Sequence, residues 1–414
     1  FLAMAYIIFV QPAVLSAAGM DFGAVMVATC VASALATLLM GLLANYPIAV
    51  APAMGHNFYF AFTVCVSMQV PWQIALGAVA IAGLIFILTA TVGLRERLIA
   101  VIPTSLKHAM AVGIGLLVAS IGLQWGGLIV DSQGTLVTLG HLSAPATLLT
   151  LFGLVVVGIL LARGIPGALL IGMLASTGAG LATGLVRYQG LIGAPPSIYP
   201  TLLQLNLAGA LSGAMFPVIL IFFFLALFDS VGTLVGVASH AGLLREGTLP
   251  RARQALLADA VGTVCGAALG TSTVTAYIES STGVAAGGRT GLANVVTATL
   301  FLLSLFFHPL VKMIGGGYAA GGNVVLYPVV APALILVGTL MMGSVREIAW
   351  DDPTEAIPAF LTMVLMPLTV SITEGIAFGF IAYAVLKLAT GRAREAHPLV
   401  YLFAGLFIGR YAWL

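Results

Sequence analysis

The chain has 414 residues, of which 61% are hydrophobic and only 7% are charged, and its formal net charge is +2 at pH 7. Soluble domains carry about 25% charged residues, so this composition excludes a soluble globular protein. It also argues against nucleic-acid binding, because the few basic residues are scattered among short loops and do not form one basic face.

Apolar segments long enough to cross a bilayer recur along the whole chain. A helix needs about 20 apolar residues to cross ~30 Å of hydrocarbon. Such segments, bounded by glycine, proline or charge, predict an all-α membrane protein with fourteen spans, followed by an apolar helix over 397–414 that either spans or lies in the interface. The predicted spans are 1–18, 24–44, 48–67, 72–92, 104–123, 144–162, 166–184, 216–238, 252–269, 271–286, 290–311, 327–345, 354–371 and 373–390.

The distribution of basic residues orients these spans, since cytoplasmic loops carry an excess of Lys and Arg. With a cytoplasmic N-terminus, twelve basic residues fall in inside loops, whereas Arg187 and Lys312 fall outside and Arg410 lies in the tail. We therefore predict a multi-pass protein of the inner or plasma membrane with its N-terminus in the cytoplasm. The inside residues are Arg95, Arg97, Lys107, Arg163, Arg245, Arg251, Arg253, Arg289, Arg346, Lys387, Arg392 and Arg394.

Two of the spans contain segments that are unfavourable for a continuous helix. In the first broken span, residues 46–67, Pro47 and Pro52 precede Gly55. Proline disfavours the α conformation of the residue before it, so we expect 47–53 to be extended and the helix to resume near Gly55.

The second broken span, residues 270–283, reads GTSTVTAYIESSTG. It begins with glycine and hydroxyl residues, so we expect an extended start and a helix from about Tyr277. Irregular backbone at membrane depth is tolerated only where protein or a cavity covers it. Broken helices at corresponding positions of two halves are typical of transporter binding sites.

The two halves of the chain correspond in the spacing of their polar residues. Gln11 and Asn57 are 46 residues apart, and Asp229 and Glu279 are 50 apart, each pair joining a helix to a broken span. Seven spans per half is an odd number, so the second half must be inverted relative to the first. The sequence therefore predicts two inverted seven-span repeats with a site near the midplane.

Two acids lie inside apolar spans. Asp229 falls within 216–238 and Glu279 within the second broken span. A carboxylate in hydrocarbon costs several kcal/mol, so such residues usually face a water-filled cavity and mark a substrate or proton pathway. Half-helices starting near Gly55 and Tyr277 would direct unpaired backbone N–H groups toward the same place. A flat heterocycle with ring N–H and C=O groups fits such a site.

Each candidate also has a structural interpretation. Asp229 could be a buried structural acid, and Glu279 or Asn57 could cap its half-helix. His56 is either a satisfied core histidine or a proton carrier, because imidazole titrates near neutral pH.

Asp259, inside the ninth span, is expected to pair with Arg289 or Arg253 and not to bind substrate. The glycines Gly262 and Gly266, together with Gly270, are typical of a close-packed helix face.

Long stretches of the chain resemble the AzgA-like purine permeases, a branch of the nucleobase–ascorbate transporter family. The resemblance implies fourteen spans in two inverted repeats, with a core domain (spans 1–4 and 8–11) that slides against a gate domain (spans 5–7 and 12–14) in an elevator movement. It also implies a homodimer that imports hypoxanthine, guanine or adenine with the proton gradient and no cofactor. The runs that carry it are MAYIIFVQPAVLSAAGMDFGAV, LLANYPIAVAPAMGHNFYFAF, LFDSVGTLVGVA, ALLADAVGTVCGAALGTSTVTAYIESSTGVAAGGRTGL and DDPTEAIPAFLTMVLMPLTVSITEGIAFGF.

The same resemblance assigns roles to individual residues. It implies that Asp229 and Glu279 are the two base-binding carboxylates and that Asn57 is the asparagine of the first broken span. Independently of the resemblance, the shortage of cations near Asp229 and Glu279 makes these acids proton-coupling candidates, and the near-neutral pKa of imidazole adds His56. The chain departs from the family pattern at Ala226, where many relatives carry an acid, and in the loop 313–326, which is longer than usual. The full predicted substrate-binding set is Asp229, Glu279, Asn57, Gly55, His56, Tyr277, Ala276 and Thr233.

The predicted spans and the resemblance together define the domain boundaries. The core is formed by 1–102 and 216–312, and the gate by 103–190 and 313–396. An extracellular connection over 191–215 joins the halves.

Four alternatives to purine transport stay open at this point. A carrier of the same fold could move uracil or xanthine, or an inorganic anion, although Asp229 and Glu279 would repel an anion. A membrane-embedded enzyme would need a nucleophile–base set or an HExxH motif, and the sequence has neither. An ion channel would need a ring of like residues, which one asymmetric chain does not supply.

Overall fold

The computed structural model describes residues 1–92, 103–132, 134–243, 249–319 and 325–413. The chain forms two compact units, a first unit of Phe1–Gly93 and Gly122–Ala333 and a second unit of Leu94–Ile121 and Leu334–Leu414. The core and gate boundaries given above stay predictions. Outside the described residues lie the predicted boundary at 102, the basic residues Arg95, Arg97 and Arg245, and part of the loop 313–326.

Helices dominate the described residues, as predicted. The α-helices are α1 (Ile7–Ser16), α2 (Phe22–Leu39), α3 (Met54–Phe58), α4 (Trp72–Val92), α5 (Thr104–Trp125), α6 (Pro145–Ala162), α7 (Ala168–Ala182), α8 (Leu207–Ala210), α9 (Phe216–His240), α10 (Ala252–Leu269), α11 (Ser280–Ala285), α12 (Leu292–Ser304), α13 (His308–Gly315), α14 (Ala331–Met341), α15 (Pro353–Thr369), α16 (Ile372–Ala389) and α17 (Pro398–Trp413). Two π-helices, Met40–Ala44 and Tyr59–Ser67, extend α2 and α3, and four 3-10 turns lie at Gly213–Met215, Leu305–Phe307, Met342–Glu347 and Ala393–Glu395.

Within the described residues, seven helical stretches are long and apolar enough to cross a membrane by length and composition. Three further apolar helices are shorter, and the two broken spans are divided between strand and helix. The seven long stretches are Phe22–Ala44, Trp72–Thr91, Thr104–Trp125, Pro145–Ala162, Gly213–Ala238, Leu292–Gly315 and Ile372–Ala389.

In the part of the chain that the structure describes, six short strands form three two-stranded antiparallel sheets. The central sheet joins β1 (Val50–Pro52) to β4 (Val274–Ala276), which are the extended segments of the two broken spans, with Ala51 opposite Thr275. The two interrupted spans therefore meet by backbone pairing. The other strand pairs are β2 (Ile129–Ser132) with β3 (Leu136–Leu139), and β5 (Tyr318–Ala319) with β6 (Val325–Leu326).

After each of these strands a helix begins, close to the predicted residue in the first broken span and later than predicted in the second. The helix of the first broken span begins at Met54, one residue before the predicted Gly55. In the second broken span the helix begins at Ser280 and not near Tyr277. The reason is that the Tyr277 N–H still donates to Ala49 O, at 3.0 Å, so this residue continues the strand ladder.

The predicted close-packed glycine face lies between α10 and the central sheet. A Cβ atom on Gly262 would lie 2.7 Å from the Cβ of Ala36 on α2, and one on Gly266 would lie 2.8 Å from a Val274 methyl. Both distances are too short for real contacts. The absence of side chains therefore allows α10 to approach α2 and β4 closely.

The second unit is built around α15 and α16, which pack closely along their length. A small hydrophobic cluster joins the α5 residues Ala109 and Val112 to Ile348, Ala359 and Met363.

A network of ion pairs lies where α15 begins and α16 ends. Lys387 is 1% exposed, and its Nζ lies 3.0 Å from Glu355 Oε1 and 2.9 Å from Glu395 Oε2. Arg392 lies 2.7 Å from both Asp352 and Glu395. These pairs connect the two helices to the 3-10 turn that follows them.

The same network stabilises the charged form of two acids. Hydrogen bonds from the Thr354 hydroxyl and backbone N–H, and then from Arg392, lower the pKa of Asp352 to about 2. Hydrogen bonds from Arg392 and Lys387 lower the pKa of Glu395 to about 2.

Candidate functional site

The candidate site lies in the first unit, where α9 passes β4 of the central sheet. Asp229 is on α9, and the Thr275 hydroxyl on β4 donates a hydrogen bond to Asp229 Oδ2 at 3.0 Å. The Asp229 side chain is 43% exposed. This acid is therefore both held by the sheet and accessible, as a ligand-binding carboxyl needs to be.

His56 follows β1 and lies on the same side as Asp229. Its Nδ1 atom is 4.0 Å from Asp229 Oδ2, while the His56 side chain is only 3% exposed. A protonated imidazole at this distance would pair with the carboxylate, and a neutral one would not. Two of the predicted proton-coupling candidates, His56 and Asp229, thus lie close together.

Glu279 occupies the turn between β4 and α11, and its side chain is half-buried. The Tyr6 hydroxyl donates to Glu279 Oε1 at 2.8 Å. Glu279 is the N-cap residue of α11, yet its side chain makes no capping hydrogen bond. The orientation of this carboxyl is therefore set by Tyr6, and the alternative of a helix cap is not what the geometry shows.

Asn57 is fully buried on α3, and its Oδ1 accepts a hydrogen bond from the Ser272 hydroxyl. Gln11 also reaches this segment, because its Nε2 donates to Thr271 Oγ1 at 3.0 Å. Asn57 Nδ2 and Gln11 Oε1 have no hydrogen-bond partner among the described residues. Buried polar atoms usually have a hydrogen-bond partner, so the Asn57 Nδ2 donor is available to a ligand or to water.

The remaining predicted site residues belong to the same region. Tyr277 is buried and its hydroxyl donates to Pro52 O at 2.5 Å, which ties the end of β4 to the end of β1. Ala276 is paired with Val50 in the central sheet. Gly55 lies in the first turn of α3.

Thr233 is buried one turn after Asp229 on α9. The binding roles of all these residues stay predictions.

The expectation that Asp259 pairs with Arg289 or Arg253 is wrong. Asp259 is fully buried, and its Oδ2 accepts a hydrogen bond from Ser230, the residue after Asp229. Arg289 instead donates to the backbone oxygens of its own turn. The reason is helix rotation, since residues three and seven positions after Asp259 are the close-packed Gly262 and Gly266, so Asp259 faces inward with them.

Sequence reasoning missed two residues of this region, Tyr6 and Thr275, and assigned the wrong partner to Asp259. The chain contains 11 tyrosines, and no local pattern distinguishes Tyr6 from the others. Its partner Glu279 is 273 residues away, so only the folded structure brings the pair together.

Comparisons with known proteins agree with this architecture. The family model described as "Permease family" matches residues 1–378. The guanine/hypoxanthine permease PbuG of Bacillus subtilis is 48% identical over 420 residues, covering 99% of this chain and 92% of that protein. The adenine permease AdeP of Escherichia coli is 46% identical over 409 residues, covering 99% of this chain and 89% of that protein.

A solved structure supports the fold independently. The transmembrane domain of the cyanobacterium bicarbonate transporter BicA aligns with a TM-score of 0.66 at 16% identity, covering 91% of this chain and 95% of that chain. A likeness at this identity shows the fold alone, which is that of two inverted seven-span repeats. The predicted fold class is thus confirmed. The chain is a multi-pass transporter of a cell membrane. It belongs to the permease family, within the AzgA-like purine permeases that form a branch of the nucleobase–ascorbate transporter family.

Proposed function

We propose that this protein carries purine nucleobases, namely hypoxanthine, guanine or adenine, into the cell. The observation that supports this most strongly is the pair of acids at the central sheet. Asp229 and Glu279 each have one oxygen bound by a protein hydroxyl, while the other accepts no hydrogen bond from another described residue. Such free carboxylate oxygens suit the N–H groups of a neutral purine ring.

Donors from α3 complete this chemistry. Asn57 Nδ2 is a buried donor with no partner among the described residues, and the N-cap residue of α3, Ala53, supplies no side-chain cap to the first turn of the helix. These groups suit a carbonyl oxygen or a ring nitrogen of the base. PbuG and AdeP, by name permeases for guanine and hypoxanthine and for adenine, support the same substrate class.

An inorganic anion is the second candidate, because BicA is by its description a bicarbonate transporter. Two carboxyls beside the binding region oppose this possibility, since each would repel an anion. Uracil and xanthine also present ring N–H groups, so they belong in the same substrate panel.

Proton coupling is part of the proposal. Among the described residues, the basic group within 4.0 Å of the Asp229 carboxyl is His56, and no lysine or arginine pairs with Glu279. A carboxylate without a cationic partner is costly to move through an apolar environment, and protonation removes that cost. A proton on Asp229, Glu279 or His56 would therefore accompany the base while the core moves against the gate as an elevator, in a dimer.

Uptake of radiolabelled hypoxanthine by purine-transport-deficient cells tests this function. We expect saturable uptake that is inhibited by unlabelled guanine or adenine and abolished by a protonophore. Inhibition by sulfate or bicarbonate, with no inhibition by purines, would contradict purine specificity. Uptake that is insensitive to the protonophore would contradict proton coupling alone.

Substitutions test the site in the same assay. Asp229→Asn and Glu279→Gln should each reduce uptake strongly. Asp351→Asn and Glu347→Gln make the same chemical changes at exposed positions and should leave uptake unchanged.

A further inference from the structure

Two hydroxyl groups, one beside each site acid, have no role in the function proposed so far. The Tyr6 hydroxyl donates to Glu279 Oε1 at 2.8 Å, and the Thr275 hydroxyl donates to Asp229 Oδ2 at 3.0 Å. Both side chains are 1% exposed, whereas Asp229 is 43% exposed. The hydroxyls thus lie behind the acids, on the protein side.

Both hydroxyls are attached to ordered backbone. The carbonyl of Tyr6 accepts hydrogen bonds from Phe9 and Val10, so Tyr6 is part of the turn that starts α1. Thr275 lies opposite Ala51 in the central sheet. Because both side chains are buried and attached to ordered backbone, each hydrogen bond favours one orientation of the carboxyl group that accepts it.

A carboxylate with one oxygen bound in this way has one oxygen left for a ligand. We infer that Tyr6 and Thr275 are positioning residues that limit Glu279 and Asp229 to one ligand N–H each, so that the site recognises a base with N–H donors on two separate edges. This inference rests on the proposed function. It specifies that the two N–H edges of the base are recognised, and that Tyr6 and Thr275 determine this specificity.

Hypoxanthine has this pattern, because its six-membered ring carries the N1–H and its imidazole ring carries a second N–H. The analogue 1-methylhypoxanthine lacks the first donor, and 9-methylhypoxanthine lacks the second. If each acid binds one edge of the base, a change at one acid should lower the affinity only for ligands that still carry the N–H on that edge. A general loosening of the fold would instead lower the affinity for all three ligands.

The experiment measures the affinities of these three ligands for the purified full chain in lipid nanodiscs. Tyr6→Phe should lower the affinity for hypoxanthine and for one methyl analogue by about ten- to hundredfold, which is the range expected for a hydrogen bond to a charged group. The affinity for the other methyl analogue should not change. Thr275→Val should lower the affinity for hypoxanthine and for the methyl analogue that Tyr6→Phe leaves unchanged, and should not alter the affinity for the other methyl analogue. Thr275→Ser keeps the hydroxyl and should bind all three like the wild type.

Matched controls exist in this chain. The Tyr383 hydroxyl donates to Glu355 at 3.0 Å in the second unit, so Tyr383→Phe removes the same kind of hydrogen bond away from the site. Thr299 is exposed and donates only to Val295 O in its own helix, so Thr299→Val is the control for Thr275→Val. Neither control should change any of the three affinities. Melting curves confirm that each variant is folded, and Thr275→Ala replaces Thr275→Val if the valine variant does not fold.

The outcomes distinguish this inference from the proposed function. A wild-type protein that binds no purine would contradict the proposed function. Wild-type binding of hypoxanthine, combined with an equal loss for all three ligands in either variant or with no loss at all, would overturn the assignment of Tyr6 and Thr275 and leave the function intact.

Discussion

Thr37 and Thr263 hold the two strands of the central sheet in the same way. Thr37 Oγ1 donates to Val50 O at 2.9 Å and accepts from Val50 N at 3.0 Å. Thr263 Oγ1 donates to Val274 O at 2.8 Å and accepts from Val274 N at 3.3 Å. Each threonine lies on the helix that precedes its broken span, so the pair repeats one device in both halves of the chain.

This relationship predicts the effect of removing either hydroxyl. Thr37→Val or Thr263→Val would leave a buried N–H and C=O without partners, which costs about 1–3 kcal/mol per unsatisfied group. We expect each variant to melt at a lower temperature than the wild type in detergent, and Thr37→Ser and Thr263→Ser to retain most of the stability. Valine variants as stable as the serine variants would show that these hydrogen bonds contribute nothing.

A second prediction concerns the close approach of α10 to the sheet. A Cβ on Gly266 would lie 2.8 Å from Val274, so Gly266→Ala should displace β4 and lower the melting temperature, with overpacking costing about 1–3 kcal/mol. Gly178→Ala is the control, because a Cβ there meets nothing within 4 Å. Equal melting temperatures for the two alanine variants would be inconsistent with the packing described here.

A third prediction concerns the buried acid behind the site. Ser230 donates to Asp259, whose Oδ1 has no partner among the described residues. Ser230→Ala removes this donor from a fully buried carboxyl, which should cost about 1–3 kcal/mol of folding stability. Ser230→Thr should preserve the contact. The measurement is the melting temperature of both variants, and an alanine variant that melts like the wild type would argue against any contribution from this pair.

A fourth prediction follows from the ion-pair network at Lys387. Asp352 and Glu395 have their pKa lowered to about 2 by their partners, against about 4 in an unfolded chain. Because the folded pKa is depressed, the stabilisation is present above about pH 4 and is lost as the pH falls toward 2. We expect the wild-type melting temperature to fall between pH 6 and pH 3.

The variant Asp352→Asn/Glu395→Gln provides the control for this pH dependence. It should melt at a lower temperature at pH 6 and change less on acidification. If the melting temperature of the double variant depends on pH as that of the wild type does, the ion-pair network is not the cause of the pH dependence.

The parts of the site that were predictable from sequence depend on local chemistry. Pro47, Pro52 and Gly55 impose backbone preferences on their immediate neighbours, and the strand and helix start of the first broken span followed from them. The helix start at Ser280 was not predictable, because the Tyr277 N–H, directly after β4, donates to Ala49 O in the other half of the chain.

The orientation of buried polar residues is likewise a property of packing. Asp259 was expected near Arg289, but the rotation of α10 is set by the close contact of Gly262 and Gly266 with other elements. Tyr6 acquires its role only through contact with Glu279. Local pattern predicted Asp229 and Glu279 as candidate site acids, whereas the residues that donate hydrogen bonds to them depend on the tertiary fold.

The central claim is that the carboxyls of Asp229 and Glu279 together bind a neutral purine. Equilibrium binding of hypoxanthine to the purified protein, compared between the wild type and the variants Asp229→Asn and Glu279→Gln, tests it most directly. We predict saturable wild-type binding and an affinity at least about tenfold lower in each variant. Wild-type affinity in either variant, with the protein folded, would contradict the account.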